Sequence, residues 1–398
     1  MKNIYSVLIT AFFITILFQS AQAENFVNRY EAWKNGPPQR PDYFPIAVWL
    51  QNPSNAKKYH AIGINLYVGL WKGPTKEQLS ILKNSGMQVI CHQNAFGLSQ
   101  KDDPAIVGWM HDDEPDNAQP ITDPETGQRT YGPPIPPEKV IEDYEELRAK
   151  DPTRPVFLNL GQGVANDEWK GRGKWGKKED YLSYWKGCDI LSYDVYPVAG
   201  LGKSDGENYL WYVARGVQRL REWSQGQRTI WNCIECTHIS HESAKATPEQ
   251  VKAEVWMSII HGSMGILYFV HEFKPQFNED ALLDDPVMRE AVAEINRRIH
   301  SLAPVLNSPT VGGTISLSSS NSQCPLAAMC KKYNGKIYVF TAGMRNAETK
   351  GVLKIENEEN IAERKINVLF ENREIDLKNN QYEDHFSPYD VHIYEIEL

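Results

Sequence analysis

Residues 229–271 read TIWNCIECTHISHESAKATPEQVKAEVWMSIIHGSMGILYFVH. Residues 229–235 and 265–271 are short, nearly continuous apolar runs. That pattern marks strands covered on both faces rather than strands with one wet face. Between them, Thr247-Pro248-Glu249-Gln250 supplies a capping residue, a proline at the first helical position and an acid in the first turn. Val251, Val255 and Ile259 then recur at helical spacing. A strand, a helix and a second strand in that order predict parallel strands with the helix packed outside.

The same unit recurs upstream. Strands are predicted at residues 44–50, 63–70, 88–94, 106–112, 155–160 and 189–196. With the two above, they number eight. Val140, Tyr144 and Leu147 follow Pro136-Pro137 as one helical stripe. Leu210, Val213, Val217 and Leu220 form a second, and Val287, Ala291, Ile295, Ile299 and Leu302 a third. Eight units over about 250 residues predict a closed eight-stranded (β/α) TIM barrel rather than an open sheet. Only residues 97–105 are available after the third strand, so the helix there is expected to be short or missing. The longest irregular stretch is 116–137.

The pattern changes after Pro304. Strands are predicted at 315–317, 326–333, 336–340, 352–355, 366–370 and 391–398, with Asn334-Gly335 as a tight hairpin turn. The expected division is a leader at 1–23, a barrel at 24–304 and a small antiparallel β-sandwich at 305–398. The leader reading rests on Lys2, the apolar run 7–18 and the small-residue cleavage site Ala21-Gln22-Ala23. It predicts export to the periplasm, the cell surface or the medium, with no membrane span in the mature chain. Six cysteines fit an oxidising compartment, where Cys324 and Cys330 are close enough in sequence to pair. Cys233 and Cys236 read as buried thiols. The net charge of −9 repels phosphate backbones and argues against nucleic acid as a partner.

In such barrels chemistry sits at the carboxyl ends of the strands. The fourth strand ends His111-Asp112-Asp113-Glu114-Pro115-Asp116, and the seventh ends in Glu235. Glycosidic bond cleavage needs two carboxyl groups, one to donate a proton and one to attack or to activate water. Glu114 and Glu235 are the candidate pair, with Asp194 and Glu272 as alternatives for the second. Clustered Asp112, Asp113 and Asp116 would raise the pKa of a proton donor among them. His92, Asn94, Asp113, Asp194, Tyr196 and His271 also lie at strand ends and are candidate sugar contacts. Trp49 and Trp71 are candidate aromatic platforms near the same rim. Residues 169–178 carry five basic side chains and two Trp, which read as a solvated loop or as a subsite for an anionic sugar.

The strand pattern, the Glu-Pro ending strand four and the Glu ending strand seven resemble the clan A retaining glycoside hydrolases. The resemblance implies hydrolysis of a poly- or oligosaccharide by double displacement, with Glu114 as acid/base and Glu235 as nucleophile. No cofactor and no metal are expected. A Tyr ending strand six, here Tyr193 or Tyr196, is expected beside the nucleophile. Two positions depart from the clan's pattern: Asp113 stands where Asn usually precedes the acid/base, and Phe269, Val270 and His271 stand where Trp often ends strand eight. Two other readings stay open. One is a barrel that binds carbohydrate without turning it over. The other is a metal-dependent barrel hydrolase using His92, His111, Asp112, Asp113, Glu114 and His271, although the sequence has no H-x-H or H-E-x-x-H spacing.

Overall fold

The computed structural model describes residues 26–397 apart from 170, 172–174, 240 and 357–362. The expected leader therefore lies outside the described residues. Among those described, no helix is long and apolar enough to cross a membrane.

The chain opens with the parallel strands β1 (Ile46–Trp49), β2 (Leu66–Val68), β3 (Gln88–Cys91) and β4 (Ile106–Met110). A hairpin, β5 (Pro120–Thr122) with β6 (Arg129–Tyr131), follows. Then come β7 (Val156–Leu160), β8 (Ile190–Tyr193), β9 (Thr229–Ile230), β10 (Asn232–Glu235) and β11 (Ile266–Phe269). The parallel segments run β10-β11-β1-β2-β3-β4-β7-β8-β9 around a barrel. There are nine rather than the expected eight, because the seventh expected strand is broken at Trp231. The Trp231 indole fills the barrel interior, 5.8 Å between ring centres from Phe157, and donates its Nε1–H to the Tyr30 hydroxyl at 3.2 Å. The ring still closes across the break. The Trp231 amide donates to the Leu191 carbonyl, and Asp194 bridges Cys233 in parallel fashion.

Outside the strands lie α1 (Ala56–Ala61), α2 (Lys76–Asn84), α3 (Ala95–Ser99), α4 (Pro137–Lys150), α5 (Tyr181–Tyr184), α6 (Tyr212–Trp223), α7 (Pro248–Ile260), α8 (Ala281–Asp284) and α9 (Pro286–Leu306). The expected N-cap Thr247 starts α7 and forms a full capping box, with Thr247 accepting from the Gln250 amide and Gln250 accepting from that of Thr247. The helix after β3 is the five-residue α3. Alternating strand residues divide the core: Ala47, Leu66, Ile90 and Leu267 fill the barrel, while Val48, Tyr67 and Val89 pack against the helices.

The rest of the chain is an antiparallel β-sandwich. One sheet is β12 (Ile315–Ser319), β15 (Thr349–Ile355) and β18 (Gln381–Phe386). The other contains β13 (Leu326–Tyr333), β14 (Lys336–Gly343), β16 (Arg364–Val368), β17 (Arg373–Leu377) and β19 (Val391–Glu397). Asn334 and Gly335 take φ of 48° and 75°, the twist a two-residue hairpin requires. Trp256 of α7 stacks on Phe340 of β14 and joins sandwich to barrel. All six cysteines are buried thiols, and Cys324 and Cys330, close enough in sequence to pair, are not joined by a disulfide. Cys330 packs inside the sandwich core, while the Cys324 thiol turns toward the Arg345 carbonyl.

A buried ion pair fastens β4, the strand that leads to Glu114. Arg154 and Asp151 are each 1% exposed and meet at 2.8 Å. Asp151 also accepts from the Trp109 indole, and Arg154 donates to the Ile106 carbonyl. Asp151→Ala strands that guanidinium without its partner, and the expected cost is about 3–5 kcal/mol. Urea unfolding measures it, and a loss under about 1 kcal/mol would show that the pair is dispensable.

Candidate active site

The mouth of the barrel has an acidic side built on β4, β7 and β8. The first group past β4 is His111, which is turned away from it: buried, it donates to the Gly187 carbonyl, and burial lowers its pKa. Asp112 is exposed and pairs with His92 at 3.1 Å, which holds the carboxyl below its ordinary range. Asp113 is also exposed and accepts from the Asn159 amide at 3.0 Å. The same Asn159 nitrogen donates to Asp194 at 3.1 Å. Glu114 is half-buried, and its backbone is left-handed with φ of 46°. Few non-glycine residues adopt that conformation, and it concentrates at functional sites.

Asp194 is 8% exposed, and its carboxyl faces that of Glu114. Burial, followed by the charges of Glu114 and Asp113, pushes its pKa well above the usual carboxylate range. Asp116 lies beneath, accepting from the Gly161 amide and the Tyr181 hydroxyl. Burial and the Glu114 charge raise it to about 7. Gly161 lets these groups crowd together, since a Cβ there would sit 2.8 Å from Glu114 Oε1.

Glu235 is placed differently. It is 0% exposed, and its two oxygens accept from the amides of Val198 (2.7 Å) and Ala199 (2.6 Å) in the loop after β8. Its carboxyl also meets that of Glu254 on α7. Burial raises both, and Glu254, also facing the Glu235 charge, keeps its proton. The interactions of Glu235 therefore run to a loop and a helix, not to the cluster around Glu114.

The other side of the mouth, on β11, β1 and β2, is aromatic. Phe269, His271, Phe273 and Phe277 form one contiguous group with ring centres 5.1–6.3 Å from their neighbours, counting Tyr196 beside Phe269. Phe273 and Phe277 are 48% and 61% exposed, and Trp71 after β2 is 70% exposed. Buried His271 sits beside the Gln51 amide at 3.0 Å, and burial lowers its pKa. The Tyr196 hydroxyl lies 3.5 Å from the Cys233 sulfur. Two expected sugar contacts are engaged elsewhere. Trp49 is packed into the barrel interior at 7% exposure. Asn94 caps α3, its oxygen accepting from Gly97 and its nitrogen donating to the Pro74 carbonyl. Glu272 pairs its backbone with Asn278 beyond β11.

Sequence reasoning missed Asn159, whose signal was a lone amide inside the apolar run 155–160, and Glu254, an acid on the covered face of α7. Of the basic loop at 169–178, residues 170 and 172–174 lie outside the described residues. Among the described residues, no three His, Cys, Asp or Glu side chains converge as metal ligands.

A scan of protein-family models finds no match to this sequence, and curated proteins give none either. Solved structures do match in fold. One is a catalytic mutant of a GH42 beta-galactosidase from G. stearothermophilus, with a TM-score of 0.58 and 11% identity over 94% of this chain and 100% of that one. Another is an alpha-amylase from Geobacillus thermoleovorans complexed with acarbose, with a TM-score of 0.52 and 10% identity over 90% of this chain and 99% of that one. At these identities the likeness is one of fold.

The raised carboxyl of Asp116 has a measurable consequence. Folded, it holds its proton to about pH 7, against an ordinary value of 3.8. Between those limits the folded chain binds more protons at this position than the unfolded one, so the contribution of Asp116 to stability falls as pH rises. The stability of the wild type minus that of Asp116→Asn should therefore decline from about pH 4 to about pH 7. A difference that stays constant across that range would show that Asp116 does not titrate there.

Proposed function

We propose that this chain is an exported glycoside hydrolase that works at the carboxyl-end mouth of its barrel, with Glu114 and Asp194 as the catalytic pair. The observation that carries the reading is the contact between those two carboxyl groups, with Asp113 and Asn159 beside them. Two like charges that close cannot both ionise freely, so the pair retains a proton at neutral pH. The buried Asp194 is the member that holds it and donates it to the leaving oxygen. Half-buried Glu114 attacks the anomeric carbon. Asn159 orients Asp194 and Asp113 through one amide. Asp113 stands beside the reacting sugar, positioned to accept from a hydroxyl.

The two carboxyl groups stand close together at the strand ends. That favours the covalent, retaining route, whose spacing is about 5–5.5 Å, over the inverting one at about 6.5–9.5 Å. Trp71, Phe273 and Phe277 offer flat apolar faces to sugar rings of a poly- or oligosaccharide. Glu235 takes a positioning role in this reading, because it fixes the loop that follows Asp194 and Tyr196. Export rests on the leader features of residues 1–23.

The test is turnover of aryl glycosides and polysaccharides, with the anomer released followed by NMR. Glu114→Gln and Asp194→Asn should each fold and each lose about 10³-fold or more in kcat, and the first-formed product should retain its configuration. Glu235→Gln should keep activity within about tenfold. If Glu235→Gln abolishes turnover while Asp194→Asn keeps it, the catalytic pair is Glu114 with Glu235 instead. If the wild type turns over nothing and still retains a glycan, the barrel is a binding protein.

A further inference from the structure

At the end of the barrel opposite the mouth, a cavity of about 130 Å³ lies between the strand starts and the sandwich. Four cations line it: Arg29 from the N-terminal segment, Arg221 from the end of α6, Arg228 just before β9 and Lys331 from β13. Among the described residues none of the four forms an ion pair. The chain as a whole is acidic, at −9, so this gathering is against the average.

Arg29 and Arg221 are exposed, whereas Lys331 is 2% exposed. The cavity thus runs from a charged opening to a buried ammonium. The Lys331 Nζ donates to the carbonyls of Leu306 (2.9 Å) and Ser308 (2.6 Å). An ammonium has three donors, so one is left beyond these two. The groups acting on Lys331 are Arg29 and Arg221, which repel its charge, and the neighbouring Cys330 thiol, which favours it; Arg228 lines the same space. Burial and the two arginines lower its pKa to about 7. Without an anion the cluster thus sheds charge. The rest of the lining includes the apolar Phe44, Ile230 and Met329 together with Ser263 and Thr310.

We infer that this cavity binds a small organic monocarboxylate, with its carboxylate against Lys331, Arg29 and Arg221 and its hydrocarbon part against Phe44, Ile230 and Met329. An anion without an apolar part would leave that wall unmatched, and a neutral apolar molecule would leave the cations uncompensated. The site stands apart from the carboxylates of the mouth, so it is independent of the proposed hydrolysis.

Isothermal titration of the whole mature chain with hexanoate, hexanol and inorganic phosphate tests the inference near neutral pH. Hexanoate should bind saturably at one site per chain, and more tightly than either of the other two. Its heat should vary with the ionisation enthalpy of the buffer, because binding returns a proton to Lys331. Arg29→Ala and Arg221→Ala should each weaken it about tenfold, and Lys331→Met should abolish the proton uptake. The two arginines are exposed, so their variants carry the test if Lys331→Met does not fold. Absence of hexanoate binding, equal binding of hexanol, tighter binding of phosphate, or unchanged affinity in both arginine variants would each overturn the assignment.

Discussion

The barrel depends on closing a sheet across a strand that is broken at Trp231. An open parallel sheet leaves two unpaired edges, and here β9 and β10 satisfy one edge each. The residue between them turns its indole into the interior, where a hydroxyl from the N-terminal segment accepts its N–H. Gly265 is required just before the neighbouring strand β11, since a Cβ there would approach the indole within 2.7 Å. The break also sets the register of the mouth. Cys233 comes level with Asp194, which places the end of β8 over the acidic cluster and the end of β10 under the following loop.

What the mouth does with that register is electrostatic. Asp116 and Asp194 are buried beside Glu114 and Asp113, where solvent screening is weak, so the neighbouring charges make theirs harder to form. The protein relieves the crowding in three ways. Asn159 offers one amide to two carboxylates. Asp116 takes a backbone amide and a tyrosine hydroxyl. Asp194 keeps a proton. The left-handed backbone at Glu114 belongs to the same arrangement, because the Asn159 carbonyl accepts its amide and Asn117 donates to its carbonyl.

Much of this was legible in the sequence. Apolar strands alternating with capped helices specify parallel strands and a barrel, and strand ends name the rim. The polar strands β17 and β18 were not read, because REIDL and QYEDHF bury few side chains and lack an apolar signal. The β5–β6 hairpin carries no strand signal for a similar reason: all six of its strand residues are exposed. At the site, Glu114, Asp113 and Asp194 follow from position alone. The orientation of Glu235 does not, since it depends on a loop that arrives from β8 and a helix that arrives from α7. Neither neighbour is near it in sequence.

Glu235 and Glu254 present the remaining problem of two buried carboxyl groups in contact. Burying a lone carboxylate is strongly unfavourable, and removing its partners costs more than the pair contributes. The arrangement becomes tolerable because one group is neutral. Glu254 holds a proton, and Glu235 accepts from two amides whose only strong acceptor it is. Without Glu235 those two amides of the turn at 197–200 would be donors lacking that acceptor. That turn follows directly on Asp194 and Tyr196, the groups that face Glu114 and the aromatic wall. A buried carboxyl far from solvent thereby holds the loop by amides that begin four residues after Asp194. This is why the strand-seven acid matters to the mouth without being exposed in it.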